Sequence, residues 1–304
     1  MSVAVAPAVE AALERALAPR RADPATAGTI SVSEVEGLVA RYNLTSAREL
    51  ALLALPVAAR LARPRISGYR VGVVGLDDGG DLVLGANLEF PGADLGSTVH
   101  AEGFASLRSR ARGRTLAVLA LTEARPCAHC RQTLAESIAA DALELIDPLG
   151  HARRLHHVYP WPFTPAALDI VGDDPRRPAW PRAELAADGP PSEIKAALLE
   201  AARRAHAPYS RCPSAVALRL SDGRVLAAGC VESVSFNPTI TATQAALVEL
   251  AALGLDGAAI EAAWLSRVLD GVVDPEPGAR SLLRAVAPAA ELTVVDVEVK
   301  RPGG

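Results

Sequence analysis

Apolar positions recur with more than one period along this chain of 304 residues, and the change of period divides it. Residues 1 to 62 read as helices. Within them Ser46 and Glu49 make a capping-box pattern ahead of ELALLALPVAARLA, and Pro56 is expected to kink or split that segment. From Arg70 the apolar runs become short and continuous. RVGVVGL and DLVLGANLEF flank Asp77-Asp78-Gly79-Gly80, which reads as a hairpin. A helix is predicted from a start at Gly96-Ser97-Thr98, with Ser97 or Thr98 as its cap, to about Arg110. TLAVLALTE, at about 115 to 123, reads as a buried strand; a second helix is predicted from Pro126 to about Ser137, and LELID as a further strand. The order β-β-α-β-α-β predicts an α/β fold, a mixed sheet covered by helices on both faces.

Residues 172 to 192, rich in Pro, Asp and Arg and without periodicity, read as a linker. Beyond it the chain repeats itself. SGYRVGVVGLDDGGDLVLGANLE, residues 67 to 89, lies on SRCPSAVALRLSDGRVLAAGCVE, residues 210 to 232, at a constant offset of 143, so that Ser67 falls on Ser210, Gly80 on Gly223 and Glu89 on Glu232. The expected organisation is a helical segment 1–62, a first α/β domain 63–171, the linker 172–192 and a second, related domain 193–304.

Composition narrows the function. With 50% apolar and 22% charged residues the chain is that of a packed globular protein. The formal charge of −4, with no run of Lys or Arg interleaved with aromatics, disfavours a nucleic-acid partner. The N-terminus carries Glu10 and Glu14 where a signal peptide needs its apolar core, and no charge-free apolar stretch is long enough for a membrane span, so a cytoplasmic location is expected. Of the four cysteines, Cys212 and Cys230 read as reduced, buried small side chains.

Cys127 and Cys130 are different, because they belong to a pattern. His100-Ala101-Glu102 is followed, 24 residues after Glu102, by Pro126-Cys127-Ala128-His129-Cys130. A catalytic zinc takes three protein ligands from nitrogen and sulfur and leaves a fourth position for water; His100, Cys127 and Cys130 supply those three and leave Glu102 free. Residues two apart stand about 200° apart around a helix, so His100 and Glu102 share a site only at a helix start, where side chains lean back over the axis. A structural zinc would want four protein ligands and no spare acid beside it. His129, as a fourth ligand, would shut water out, and a packing role suits it better. Arg131 either bonds a thiolate or forms a salt bridge on its helix. His151, His156, His157 and His206 show no partner pattern. In the second half, where the His100 motif should recur, the chain reads Thr241-Ala242-Thr243-Gln244-Ala245, and PEPGAR at 275 to 280 stands in for the cysteine motif. That half is expected to keep the fold without the chemistry.

H-x-E followed by P-C-x-x-C is the signature of zinc deaminases. Together with ISGYRVG, GANLEFPG, TVHAE, PCAHCRQ, AHAPYSRCPS and ESVSFNPT, in this order from about Arg63 onward, it makes the chain resemble the cytidine deaminases, specifically the long two-domain homodimeric type. The resemblance implies a duplicated αβα sandwich, one zinc per chain, Glu102 as proton carrier, catalysis in the first domain only, and an active site completed by the partner's C-terminal domain. It implies substrate-binding roles for Asn87 and Glu89, at the ribose hydroxyls, and for Tyr69, beside the nucleoside; Phe236-Asn237-Pro238 would reach the partner's site. The implied activity is deamination of cytidine and deoxycytidine in pyrimidine salvage. The chain departs from the usual HAEQ or HAER at Gly103 and from PCGHC at Ala128, which touches no ligand but leaves room for a modified cytosine nucleoside as substrate. A deaminase acting on polynucleotides is opposed by the acidic balance, and a non-catalytic nucleoside-binding scaffold by the intact ligands and Glu102.

Overall fold

The computed structural model describes residues 5–122, 125–186 and 189–299, so Glu123 of the expected strand, two linker positions and both chain ends lie outside it. The chain divides into two units. The first runs to Glu89 and resumes over Val99–Pro175 with Ala252–Gly254; the second takes Phe90–Thr98, Arg176–Ala251 and the chain from Leu255 on.

In the first unit, α1 (Val5–Leu17), β1 (Thr29–Ile30), α2 (Val32–Arg41), α3 (Ala47–Leu53) and α4 (Leu55–Ala59) precede β2 (Gly72–Asp77) and β3 (Leu82–Ala86). Then come α5 (Ala101–Ala111), β4 (Leu116–Leu121), α6 (Ala128–Leu134), β5 (Glu144–Ile146), β6 (Ala152–Arg154) and α7 (Leu155–Val158). Pro56 splits α3 from α4, where its ring sits in a first turn that needs no donor from it. The capping box expected at Ser46 does not form. Glu49 instead accepts from the N–H and hydroxyl of Thr45, at 2.7 and 2.8 Å, one residue earlier. A capping box does form at α2, between Ser31 and Glu34. The reading of residues 1 to 62 as helical missed β1, whose two residues are too few to show a period and pair with β3 from a distance.

The sheet order is β1-β3-β2-β4-β5-β6, parallel only between β4 and β5. The hairpin turn is tied by Asp77, whose Oδ1 accepts from the N–H groups of Gly79 and Asp81, and Gly80 supplies the positive φ of 85°. Alternation sends neighbouring side chains to opposite faces. Val74, Leu82, Leu84 and Ala120 pack among residues of α1 to α4, while Val73, Leu119 and Leu121 meet Ala101 and Ala105 of α5 and Leu134 of α6. Both faces are covered, which makes the expected αβα sandwich.

The second unit holds β7 (Ala183–Leu185), α8 (Ser192–Arg204), β8 (Ala215–Leu220), β9 (Val225–Gly229), α9 (Ala242–Ala252), β10 (Ile260–Val268), α10 (Glu276–Val286) and β11 (Glu291–Val299). Its order, β7-β11-β10-β8-β9, repeats the first sheet from β6 to β3, with β10 and β11 parallel as β4 and β5 are. Two isolated bridges repeat as well: Arg63 to Leu88 and Leu88 to Val99 in one copy, His206 to Val231 and Val231 to Ile240 in the other. The edges differ in origin. In the first copy the edge strand follows β5; in the second, β7 comes from within the stretch read as a linker, where Trp180 and Ala183 are buried. Strand pairing there overrides a composition that reads as irregular.

Candidate metal centre

Two helix starts build the site. Ala101 opens α5, and His100 is its N-cap, with extended backbone at φ −78° and ψ 156°. The cap expected at Ser97 or Thr98 is wrong by two to three residues: Leu95–Ser97 is a separate 3-10 turn, itself capped by Asp94 through the N–H of Gly96 at 2.8 Å. Because His100 stands just outside the helix and Glu102 in its first turn, the 200° separation of a mid-helix pair does not apply to them. Glu102 is buried. Gly85 of β3 lets α5 come this close, since a Cβ there would stand 2.4 Å from the carbonyl oxygen of Ala101.

At α6 the N-cap is Cys127, whose sulfur accepts from the N–H of Cys130 at 3.5 Å. Pro126 is therefore outside the helix and not its first residue, and the helix ends at Leu134, short of Ser137. Neither expected role of Arg131 is the one seen: its guanidinium donates to the carbonyls of Pro126 and Val158, both at 2.7 Å, and so fastens the peptide just before Cys127.

His100 Nδ1 lies 3.2 Å from the sulfur of Cys130 and 3.5 Å from that of Cys127, and the sulfurs are 3.5 Å apart. Zinc bonds of about 2.3 Å to sulfur and about 2.0 Å to nitrogen, at tetrahedral angles, require separations of roughly 3.5 to 3.8 Å. The three donors thus already stand close to zinc-binding spacing. Among the described residues they form the one group of His, Cys, Asp and Glu side chains able to hold an ion, and Glu102 and His129 are not in it. His100 and Cys127 are exposed while Cys130 is buried, so the donor set is open on one side. Burial pushes the Cys130 thiol up, and the charges of Glu102 and Cys127 push it the same way. A divalent cation relieves this crowding of acidic groups, and the N and S donors suit zinc. The His129 ring stacks near His100, with centroids 5.9 Å apart and planes at 27°.

Asn87 is buried; its Oδ1 accepts from the N–H of Val71 at 2.9 Å, and its Nδ2 donates to the carbonyl of Tyr69 at 3.0 Å and to Glu89 Oε1 at 3.5 Å. Glu89 accepts from the N–H groups of Ile66 and Ser67 at 2.7 and 2.8 Å and from the Ser67 hydroxyl at 2.6 Å. Burial pushes its carboxyl up, but these bonds and the nearby charge of His100 hold it below the ordinary range. The Tyr69 side chain is exposed. Ser67, absent from the expected site, was marked in the sequence by its coincidence with Ser210. In the second copy Glu232 accepts from the N–H groups of Tyr209 and Ser210, at 3.0 and 3.1 Å, and from the Ser210 hydroxyl. The same clamp therefore closes both copies, while Cys230 takes the place of Asn87.

The second unit also shows why that copy holds no such centre. Thr241 stands before α9 where His100 stands before α5, and its N–H and hydroxyl both donate to Gln244 Oε1, at 2.8 and 2.9 Å. Pro275 and Gly278 stand at the start of α10 where Cys127 and Cys130 stand at α6.

The chain matches the cytidine and deoxycytidylate deaminase zinc-binding region twice, over residues 45–143 and 155–280. It is 35% identical to the cytidine deaminase of Klebsiella pneumoniae over 263 residues, 86% of this chain and 87% of that one. It is 33% identical to the cytidine deaminase of Sodalis glossinidius over 288 residues, 92% and 93% of the two chains. Among solved structures, the cytidine deaminase of Mycobacterium tuberculosis aligns with 38% of this chain and 96% of its own, at 29% identity and a TM-score of 0.35. Among the described residues no helix is long and apolar enough to cross a membrane.

Proposed function

The chain belongs to the cytidine deaminase family, in its long two-domain form, and on that premise we propose that it hydrolyses cytidine and 2'-deoxycytidine to the uridines and ammonia. The observation that carries this is the convergence of one imidazole nitrogen and two sulfurs within 3.5 Å, with the buried carboxyl of Glu102 left outside the group. His100, Cys127 and Cys130 would hold the zinc. When bound, zinc supplies acidity to a water molecule, lowering its pKa to about 7.

Glu102 takes a proton from the attacking water and delivers it to N3 of the cytosine ring as the C4–O bond forms. It then carries the second proton to the amino group, the C4–N bond breaks, and ammonia leaves. A carboxylate suits both steps because it is base first and acid afterwards. Asn87 and Glu89 are proposed as the sugar contacts. That assignment rests on the family resemblance; the local bonds hold both side chains in place, and Asn87 fixes the backbone at Tyr69, proposed to lie against the nucleoside. Substitution to alanine at Asn87 or Glu89 should raise KM for cytidine more than it lowers kcat.

The proposed division places catalysis in residues 63–171, on whose sheet the helices of 1–62 pack, and gives 193–304 a deaminase-like fold without chemistry, to which Ala183–Leu185 of the expected linker adds an edge strand. A homodimer whose active site is completed by the partner's C-terminal domain rests on the family resemblance, as do the cytoplasmic location and the role in pyrimidine salvage. Light scattering on the full chain tests the dimer. Gly103 gives weight to a second reading, a modified cytosine nucleoside as substrate. Turnover of cytidine, deoxycytidine and 5-substituted or sugar-modified analogues separates the two, since a cytidine deaminase should turn over the first pair at least as fast as the analogues.

A further inference from the structure

A cavity of about 420 Å³ opens in the first unit, and none of the three metal-site residues is among the described residues that line it. Leu121 ends β4 and Ile146 ends β5, so it lies at the carboxyl ends of the two parallel strands, where open α/β sheets bind ligands. Its size falls within the range of pockets for small organic molecules.

Among the described residues the charges in it do not cancel. Arg125, Arg131 and Arg153 line the cavity, and the one carboxylate among the described lining residues is Asp147. That carboxylate is already engaged: Oδ2 meets His151 Nδ1 at 2.8 Å, and Oδ1 accepts from the N–H groups of Leu149 and His151 at 2.9 and 3.1 Å. Arg131 donates to the carbonyls of Pro126 and Val158, and Arg153 to that of Ala152, acceptors that carry no net charge. Leu121, Leu145 and Val158 give the remaining wall an apolar surface. A guanidinium cluster beside an apolar wall matches a planar anionic head attached to an apolar body.

We propose that this cavity binds a small organic anion, a phosphate or carboxylate head on an apolar body, with Arg125 and Arg153 on the head and Leu145 and Val158 on the body. The three metal-site residues are not among its lining residues, though Pro126 and Arg131 adjoin Cys127 and Cys130 in the chain, and only the uridine control below rests on the proposed function. The test is calorimetric titration of the zinc-loaded full chain with phenyl phosphate, benzoate and, as the neutral control, phenol. Binding of either anion, with phenol at least tenfold weaker, supports the proposal, and the tighter of the two identifies the head group. Arg125 and Arg153 are exposed, so Arg125→Ala, Arg153→Ala and Arg153→Glu should keep the melting temperature of the parent and each weaken anion binding by about tenfold or more. The proposal is overturned if neither anion binds at about 10 mM, if phenol binds as well as the anions, or if all three variants bind as the parent does. Saturating uridine should leave the titration unchanged; displacement of the anion by uridine would put the probe in the metal site and equally overturn it.

Discussion

Replacing Gly85 by alanine should damage catalysis through a position that touches neither metal nor substrate. The added Cβ would stand 2.4 Å from the Ala101 carbonyl oxygen, 2.8 Å from Ala105 Cβ and 2.8 Å from Val73 Cγ2. The first of these is backbone, in the first residue of α5, directly between His100 and Glu102. Contacts with a Cβ are essentially never shorter than 3.0 Å, so the helix start must recede by at least about 0.6 Å, and by about 1 Å to reach ordinary contact. Overpacking of this size costs about 1–3 kcal/mol of stability, and a displacement near 1 Å at a reacting group costs up to about a hundredfold in rate. The assay is kcat/KM for cytidine on Gly85→Ala, with zinc content and melting temperature from the same preparation. The second copy supplies a control. Ala228 pairs with Val216 as Gly85 pairs with Val73, and there the chain carries alanine in the copy without a metal centre. Ala228→Gly should cost no more than about 1 kcal/mol and leave kcat/KM unchanged. Parental activity and melting temperature in Gly85→Ala would refute the claim that this close approach sets the position of the helix start.

Other expectations follow from the same geometry. Cys127→Ala or Cys130→Ala should lose zinc and activity together, read by metal analysis and turnover, because two donors do not make a zinc site. Glu232→Gln should lower stability by about 1–3 kcal/mol through its clamp with Ser210 and leave KM alone, whereas Glu89→Gln should lower stability similarly and also raise KM for cytidine. Glu34 tests linkage. Burial pushes its carboxyl up, but the bonds from Ser31 and the charge of Arg20 hold it below the ordinary range. Its stabilisation is therefore present above the ordinary carboxylate pKa and lost as pH falls through the lower folded value. Thermal unfolding of the parent and Glu34→Gln should differ at about pH 6 and converge as pH falls below the ordinary carboxylate range.

The metal ligands were legible because three donor types at fixed spacing have few other uses, and the β-β-α-β-α-β order because continuous apolar runs alternate with longer helical ones. The helix starts were less legible. Capping preferences favour Ser and Thr, and Pro favours a first helical position, yet here His100 and Cys127 occupy the cap positions themselves, so propensity points instead to Ser97 or Thr98 and to Pro126. The edge strands β1, β6 and β7 escaped for a different reason. Each has two or three residues, β6 is exposed throughout, and pairing to a distant strand is what fixes them. The Ser67–Glu89 clamp was visible only as a coincidence between repeats, since no local rule ties a serine to a glutamate 22 residues away.

The measurement that bears most directly on the central claim is the fall in absorbance when cytidine is added to the purified chain and to Glu102→Gln, with zinc determined on both. The parent should form uridine at about one zinc per chain, and the variant should keep its zinc but turn over at least a hundredfold more slowly. Undiminished turnover by Glu102→Gln, or turnover by a parent free of zinc, would contradict it.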